Sequence, residues 1–126
     1  MYCANPYNVY KQNSINMASK ESLLLMLVDA TVRCTKIARN AIENKDIPLA
    51  HKELTRVQDI YTELMVTLNM DGGDFTKDLY RLYEFIKEKL YDANIKKDVA
   101  IIDEVMPVIE DIRDIWHEAS TLAAAK

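Results

Sequence analysis

A chain of 126 residues suits one domain, and at that size folding buries about two-thirds of the surface the unfolded chain exposes. With 49% hydrophobic residues, two glycines and three prolines, it has too much apolar material and too few breakers for a disordered chain or a turn-rich all-β fold. A net charge of −4 excludes the dense basic patch that nucleic acid or an anionic membrane surface demands.

Residues 1–18 lack helical periodicity and contain Asn5-Pro6, which favours extended or turned backbone; they read as a tail with aromatic content. The tail has no apolar run of signal-peptide length. No stretch of the chain approaches the roughly 20 apolar residues that span a bilayer, so a cytoplasmic protein is expected. Cys3 and Cys34 share no CxxC spacing and read as free thiols.

Ser19 offers an N-cap for a helix over 19–44, in which Leu23, Leu27, Ala30, Cys34, Ile37 and Ala41 recur at spacings of three and four. Asp46 can cap a second helix over 46–69 with Pro48 in its first turn; Ile47, Ala50, Leu54, Val57, Ile60, Leu64 and Leu68 form its stripe. Both glycines then fall in Asp71-Gly72-Gly73-Asp74, the sharpest turn signal in the chain. A third helix over 74–94 sets Leu79, Leu82, Ile86, Leu90 and Ala93 on one face, and Asn94 can close it. The fourth, over 98–120, opens at Asp98 and carries Val99, Ile102, Val105, Met106, Ile109, Ile112 and Trp116. Pro107 interrupts its hydrogen bonding, yet the apolar rhythm continues through it, which predicts a kink and not a break. Four long stripes joined by short polar turns predict an all-α, antiparallel up-down-up-down four-helix bundle.

A bundle helix requires one stripe, but three of these helices carry large apolar residues beside it. They are Tyr61 and Met65 on the second, Tyr80, Tyr83 and Phe85 on the third, and Ile101, Val108 and Ile115 on the fourth. A groove lined by such side chains suits the apolar face of an amphipathic partner helix, because rings and thioethers adapt to it.

Catalytic machinery is not in view. A di-metal bundle site needs two Glu-x-x-His pairs, and only Asp114-x-x-His117 comes close, so no metal or other cofactor is expected. The one alternative class is a histidine phosphotransfer bundle, which needs a single exposed histidine beside a basic residue; His51 next to Lys52 would serve.

The order and spacing of Asn5-Pro6-Tyr7-Asn8-Val9-Tyr10, of Leu23 through Ala30, of Gly72-Gly73-Asp74-Phe75 through Phe85, of Leu90 through Asn94, and of Trp116 make the chain similar to flagellar secretion chaperones of the FliS type. It departs from the usual pattern at Lys20, where the family often has proline, and at Ala30, where it often has glycine. The resemblance implies a cytosolic, non-enzymatic export chaperone. Its cargo would be the disordered C-terminal segment of flagellin, which folds as it wraps the bundle and is kept from polymerising early until the flagellar type III export apparatus receives it. A flagellar regulator or an export-gate component is a further partner of this kind. Tyr7 and Tyr10 occupy the family positions of an N-terminal strap, and the off-stripe set Tyr61, Met65, Tyr80, Tyr83, Ile101, Val108 and Ile115 supplies the remaining candidates for contact with flagellin.

Overall fold

The computed structural model describes residues 17–124. Among them are four α-helices, α1 Met17–Glu43, α2 Ile47–Thr67, α3 Asp74–Lys96 and α4 Val99–Ala124, with one short 3-10 turn at Met70–Gly72. The short connections make successive helices antiparallel neighbours. Each packs against two others in the cyclic order α1–α2–α3–α4, and the α3–α4 seam is the most sparsely packed of the four. The fold is an all-α four-helix bundle.

Local chemistry sets the helix ends. Asp46 caps α2 as its sequence position suggests, its Oδ1 accepting from the Leu49 N–H at 3.3 Å with Pro48 in the first turn. Helix α1 opens at Met17, which places Ser19 inside the helix and not at its cap. Asn94 does not close its helix. At the end of α1, Lys45 takes φ 63° and its N–H donates to the Ile42 carbonyl at 3.0 Å, while the Asp46 N–H reaches the Ala41 carbonyl at 2.7 Å. This pair of bonds ends a helix through one left-handed residue, a place usually taken by glycine. Lys97 does the same for α3 at φ 51°, three residues beyond the end that Asn94 marked out. Before α3, Gly73 holds φ 83° and ψ −154°, a region that only glycine occupies readily. Gly72 is needed for a different reason, since a Cβ there would collide with the Thr76 hydroxyl. Pro107 sits on an exposed side of α4, and the helix runs through it unbroken.

The core is built from the inward faces of all four helices, among them Val28, Leu54, Val57, Ile86, Leu90, Ile102, Val105 and Ile109, all fully buried. Several stripe positions need correction. Ile37, Ile47 and Leu82 are exposed at the edges of their helices. Tyr61 and Tyr83, read from the sequence as surplus surface, are in the core at 0% and 1% exposure. Their rings meet with centroids 5.7 Å apart at a tilt of 46°, and the Trp116 indole N–H donates to the Tyr83 hydroxyl at 2.8 Å. One aromatic chain thus links α4, α3 and α2. Burial pushes the Tyr83 phenol up to about 12. Cys34 is also buried; burial first, and the neighbouring Glu53 carboxylate second, push its thiol up to about 11.

Candidate partner-binding surface

The seven surface candidates within the described residues do not form a single groove. Tyr61 and Tyr83 are excluded from the surface by burial, because each ring sits where its helix faces the bundle axis. Met65 and Tyr80 are half-buried on α2 and α3. The register that sets Tyr61 against Tyr83 and His51 against Asn94 puts these two level with one another along the α2–α3 seam. Ile101 and Val108, packed against the core from outside, and Ile115, 36% exposed, belong to α4. Tyr7 and Tyr10 lie outside the described residues.

What separates the two seams of α4 is charge. Its seam with α1 is bridged by a ladder of polar pairs. Arg39 of α1 holds Asp103 through Nε at 2.6 Å and Nη2 at 3.0 Å, and Lys36 approaches Glu110 at 4.0 Å. Nearer the other end, His117 Nε2 meets Asp29 Oδ1 at 2.7 Å. Arg39 holds the Asp103 carboxyl below the usual carboxylate range through that hydrogen bond. Among the described residues the seam with α3 has one ion pair, Lys89 to Glu104 at 3.1 Å. Lys89 also lies over the Phe85 ring, 5.8 Å from its centroid. Beside this clasp Leu82 and Phe85 of α3 stand open, 38% and 41% exposed, opposite the outer residues of α4.

A second apolar area lies at the end of the bundle where α1 begins and α4 ends. Leu24, Leu68, Phe75, Thr76 and Trp116 line a hollow of about 310 Å³; a neighbouring one of about 410 Å³ is walled by Leu25, Ala119 and Ala123 and shares Leu24 and Trp116. Phe75 stands 60% exposed at the rim. The sequence reading assigned neither the hollows nor the Lys89–Glu104 clasp. Trp116 and Phe75 were signals for the hollows, being large rings near helix ends where the bundle has fewer layers to cover them.

The candidate phosphotransfer histidine has a structural partner. His51 is exposed, and its Nδ1 faces the Asn94 side-chain amide, whose nitrogen lies 3.0 Å away while the Asn94 Oδ1 accepts from Lys97 Nζ at 2.8 Å. Among the described residues no group of three His, Cys, Asp or Glu side chains is placed to hold a metal ion, and no helix is long and apolar enough to cross a membrane.

Comparison with known proteins gives one consistent result. The family model described as flagellar protein FliS matches residues 3–123. The flagellar secretion chaperone FliS of Bacillus subtilis (strain 168) is 35% identical over 119 residues, covering 94% of this chain and 89% of the relative. That of Campylobacter jejuni is 32% identical over 113 residues, covering 89% and 88%. A crystal structure of a flagellar chaperone from bacteria superposes with a TM-score of 0.75 at 19% identity, covering 94% of this chain and 97% of the other, a likeness of fold.

Proposed function

The chain belongs to the FliS family of flagellar proteins, and from that premise we propose that it is a cytosolic export chaperone for flagellin. In this reading it binds the disordered C-terminal segment of flagellin, keeps it from polymerising early, and assists its delivery to the export apparatus. It does so by masking apolar surface and not by catalysis. The observation that supports this best is an apolar surface left open beside a finished core: Leu82, Phe85 and Ile115 stay exposed although the bundle interior is filled by other residues. A segment that folds as it binds spends about 2–5 kcal/mol of the gross interaction on its own ordering, which keeps the complex releasable. Tyr7 and Tyr10 serve as a strap over the bound segment, and a flagellar regulator or an export-gate component is the second kind of partner.

Titrating the chain with a flagellin C-terminal peptide should produce more helical circular dichroism than the two components sum to. Tight binding without that gain would count against coupled folding, and absence of binding would remove flagellin as the cargo. Replacing Tyr7 and Tyr10 together by alanine should loosen the complex, mainly through a faster off-rate, with little change in melting temperature.

A further inference from the structure

Along the outward side of α4, residues three and four apart alternate in kind: Ile101, Glu104, Val108, Asp111, Ile115, Glu118. At 1.5 Å per residue this stripe is about 26 Å long. Its apolar members are half-buried or, for Ile115, 36% exposed, and its acids are exposed. The Lys89–Glu104 pair at 3.1 Å, with Lys89 over the Phe85 ring, fixes the stripe beside Leu82 and Phe85 of α3. Glu104 is therefore engaged. Asp111 and Glu118 are not, for neither has an ion-pair partner among the described residues. The surrounding charge is one-sided: α4 contains six acidic residues and one arginine, whereas α3 has five of each sign.

An apolar seam studded at regular intervals with unpaired carboxylates selects its occupant by charge as well as by hydrophobicity. We propose that this face seats an amphipathic helix whose apolar stripe is interleaved with lysine or arginine at matching three- and four-residue spacing. The inference rests on the chaperone reading above and adds the charge of the segment taken. A second copy of the chain is a poor occupant, because two such stripes laid against each other oppose carboxylate to carboxylate. The basic residues fix register and orientation, while the apolar contacts along Ile101, Val108 and Ile115 hold the helix down.

The test uses the full-length chain and two designed helical peptides of about 18 residues, long enough at 1.5 Å per residue to cover the stripe. Both carry the same leucine stripe; one is flanked by lysine and the other by glutamate. The lysine peptide should bind about five- to tenfold tighter, the size expected of two exposed charge pairs, and lose that advantage in high salt. Combining Asp111→Lys with Glu118→Lys should reverse the preference at unchanged melting temperature. Reversing Glu21 and Asp59, exposed acids on α1 and α2, makes the same change in net charge and should leave the preference intact. Equal binding of the two peptides, binding of neither, or equal loss in both reversal variants would overturn the proposal. So would a dimer of the unmodified chain that Val108→Glu dissociates, which would give the face to a second copy. A flagellin C-terminal peptide run in parallel keeps the two readings apart: failure of flagellin alone removes the cargo but not the charge preference, and flagellin binding that ignores the Asp111 and Glu118 reversal removes the charge preference but not the cargo.

Discussion

Tyr61 and Tyr83 carry the same side chain into the same core with different consequences. The Tyr83 hydroxyl accepts from Trp116, whereas the Tyr61 hydroxyl is buried without a completed hydrogen bond. Its neighbour Thr31 stands close, with its own hydroxyl hydrogen given to the Val28 carbonyl at 2.6 Å. Removing an unpaired buried hydroxyl relieves a desolvation penalty, while removing a paired one strands its partner. Thermal unfolding should therefore separate the two variants, with Tyr61→Phe neutral or stabilising by up to about 1 kcal/mol and Tyr83→Phe destabilising by about 1 kcal/mol. Both burials were legible in helical geometry, where successive residues advance about 100°. Measured from Leu79, Tyr83 lies about 40° and Leu82 about 60° off the stripe on opposite sides, so the ring sits nearer the stripe's centre. The hydroxyl concealed this, because a polar tip makes tyrosine read as surface even when its ring belongs inside.

At the scale of the helix, existence and order were plain from apolar periodicity, and the ends were less so. Asp46 and Pro48 announce the start of α2 because capping chemistry is restricted to a few residue types. The C-terminal ends of α1 and α3 gave no such announcement, since Lys45 and Lys97 hold left-handed positions where glycine would have been the signal. The helix-end backbone bonds from Asp46 to Ala41 and from Asp98 to Ala93 hold these lysines in a conformation that costs a side chain about 1 kcal/mol relative to glycine. Lys45→Gly should accordingly stabilise the fold by about 0.5–1 kcal/mol, raising its melting temperature by a few degrees. Lys97→Gly should gain less, because the Lys97 ammonium also caps α3 through the Asn94 carbonyl and Oδ1. A denaturant series on both variants would check the order.

Across the whole molecule, the two seams of α4 are unlike: charge closes one and apolar side chains leave the other open. Depression of the Asp103 carboxyl gives the closed seam a predictable acid response. A carboxyl whose folded value is lowered stabilises the fold fully above its unfolded value of 3.8, and the contribution is lost as pH falls through the folded value. The stability difference between the natural chain and Asp103→Asn should be present at pH 7 and vanish in strong acid, and salt should shrink it because the pair is exposed. Equal stability at neutral pH would show that the pair contributes nothing. The surplus of apolar side chains was visible in the sequence, and Ile101, Val108 and Ile115 lie outside the fully buried set of α4. Which seam they face was not, because that depends on the cross-helix pairs Arg39–Asp103 and Lys89–Glu104, whose members are 64 and 15 positions apart and follow no local pattern.

The bond from Trp116 to Tyr83 makes the interior optically visible. Trp116 is the only tryptophan in the chain; it borders both hollows while its indole nitrogen is tied to a ring that touches a second buried tyrosine. Excitation absorbed by Tyr61 and Tyr83 has an acceptor at short range, so in the folded protein tyrosine light should emerge as tryptophan emission. Separation of α3 from α4 would interrupt that transfer, whereas a ligand filling the hollows would shift the tryptophan band to the blue with the transfer preserved. One fluorophore, already present, thus distinguishes opening of the bundle from occupation of its end.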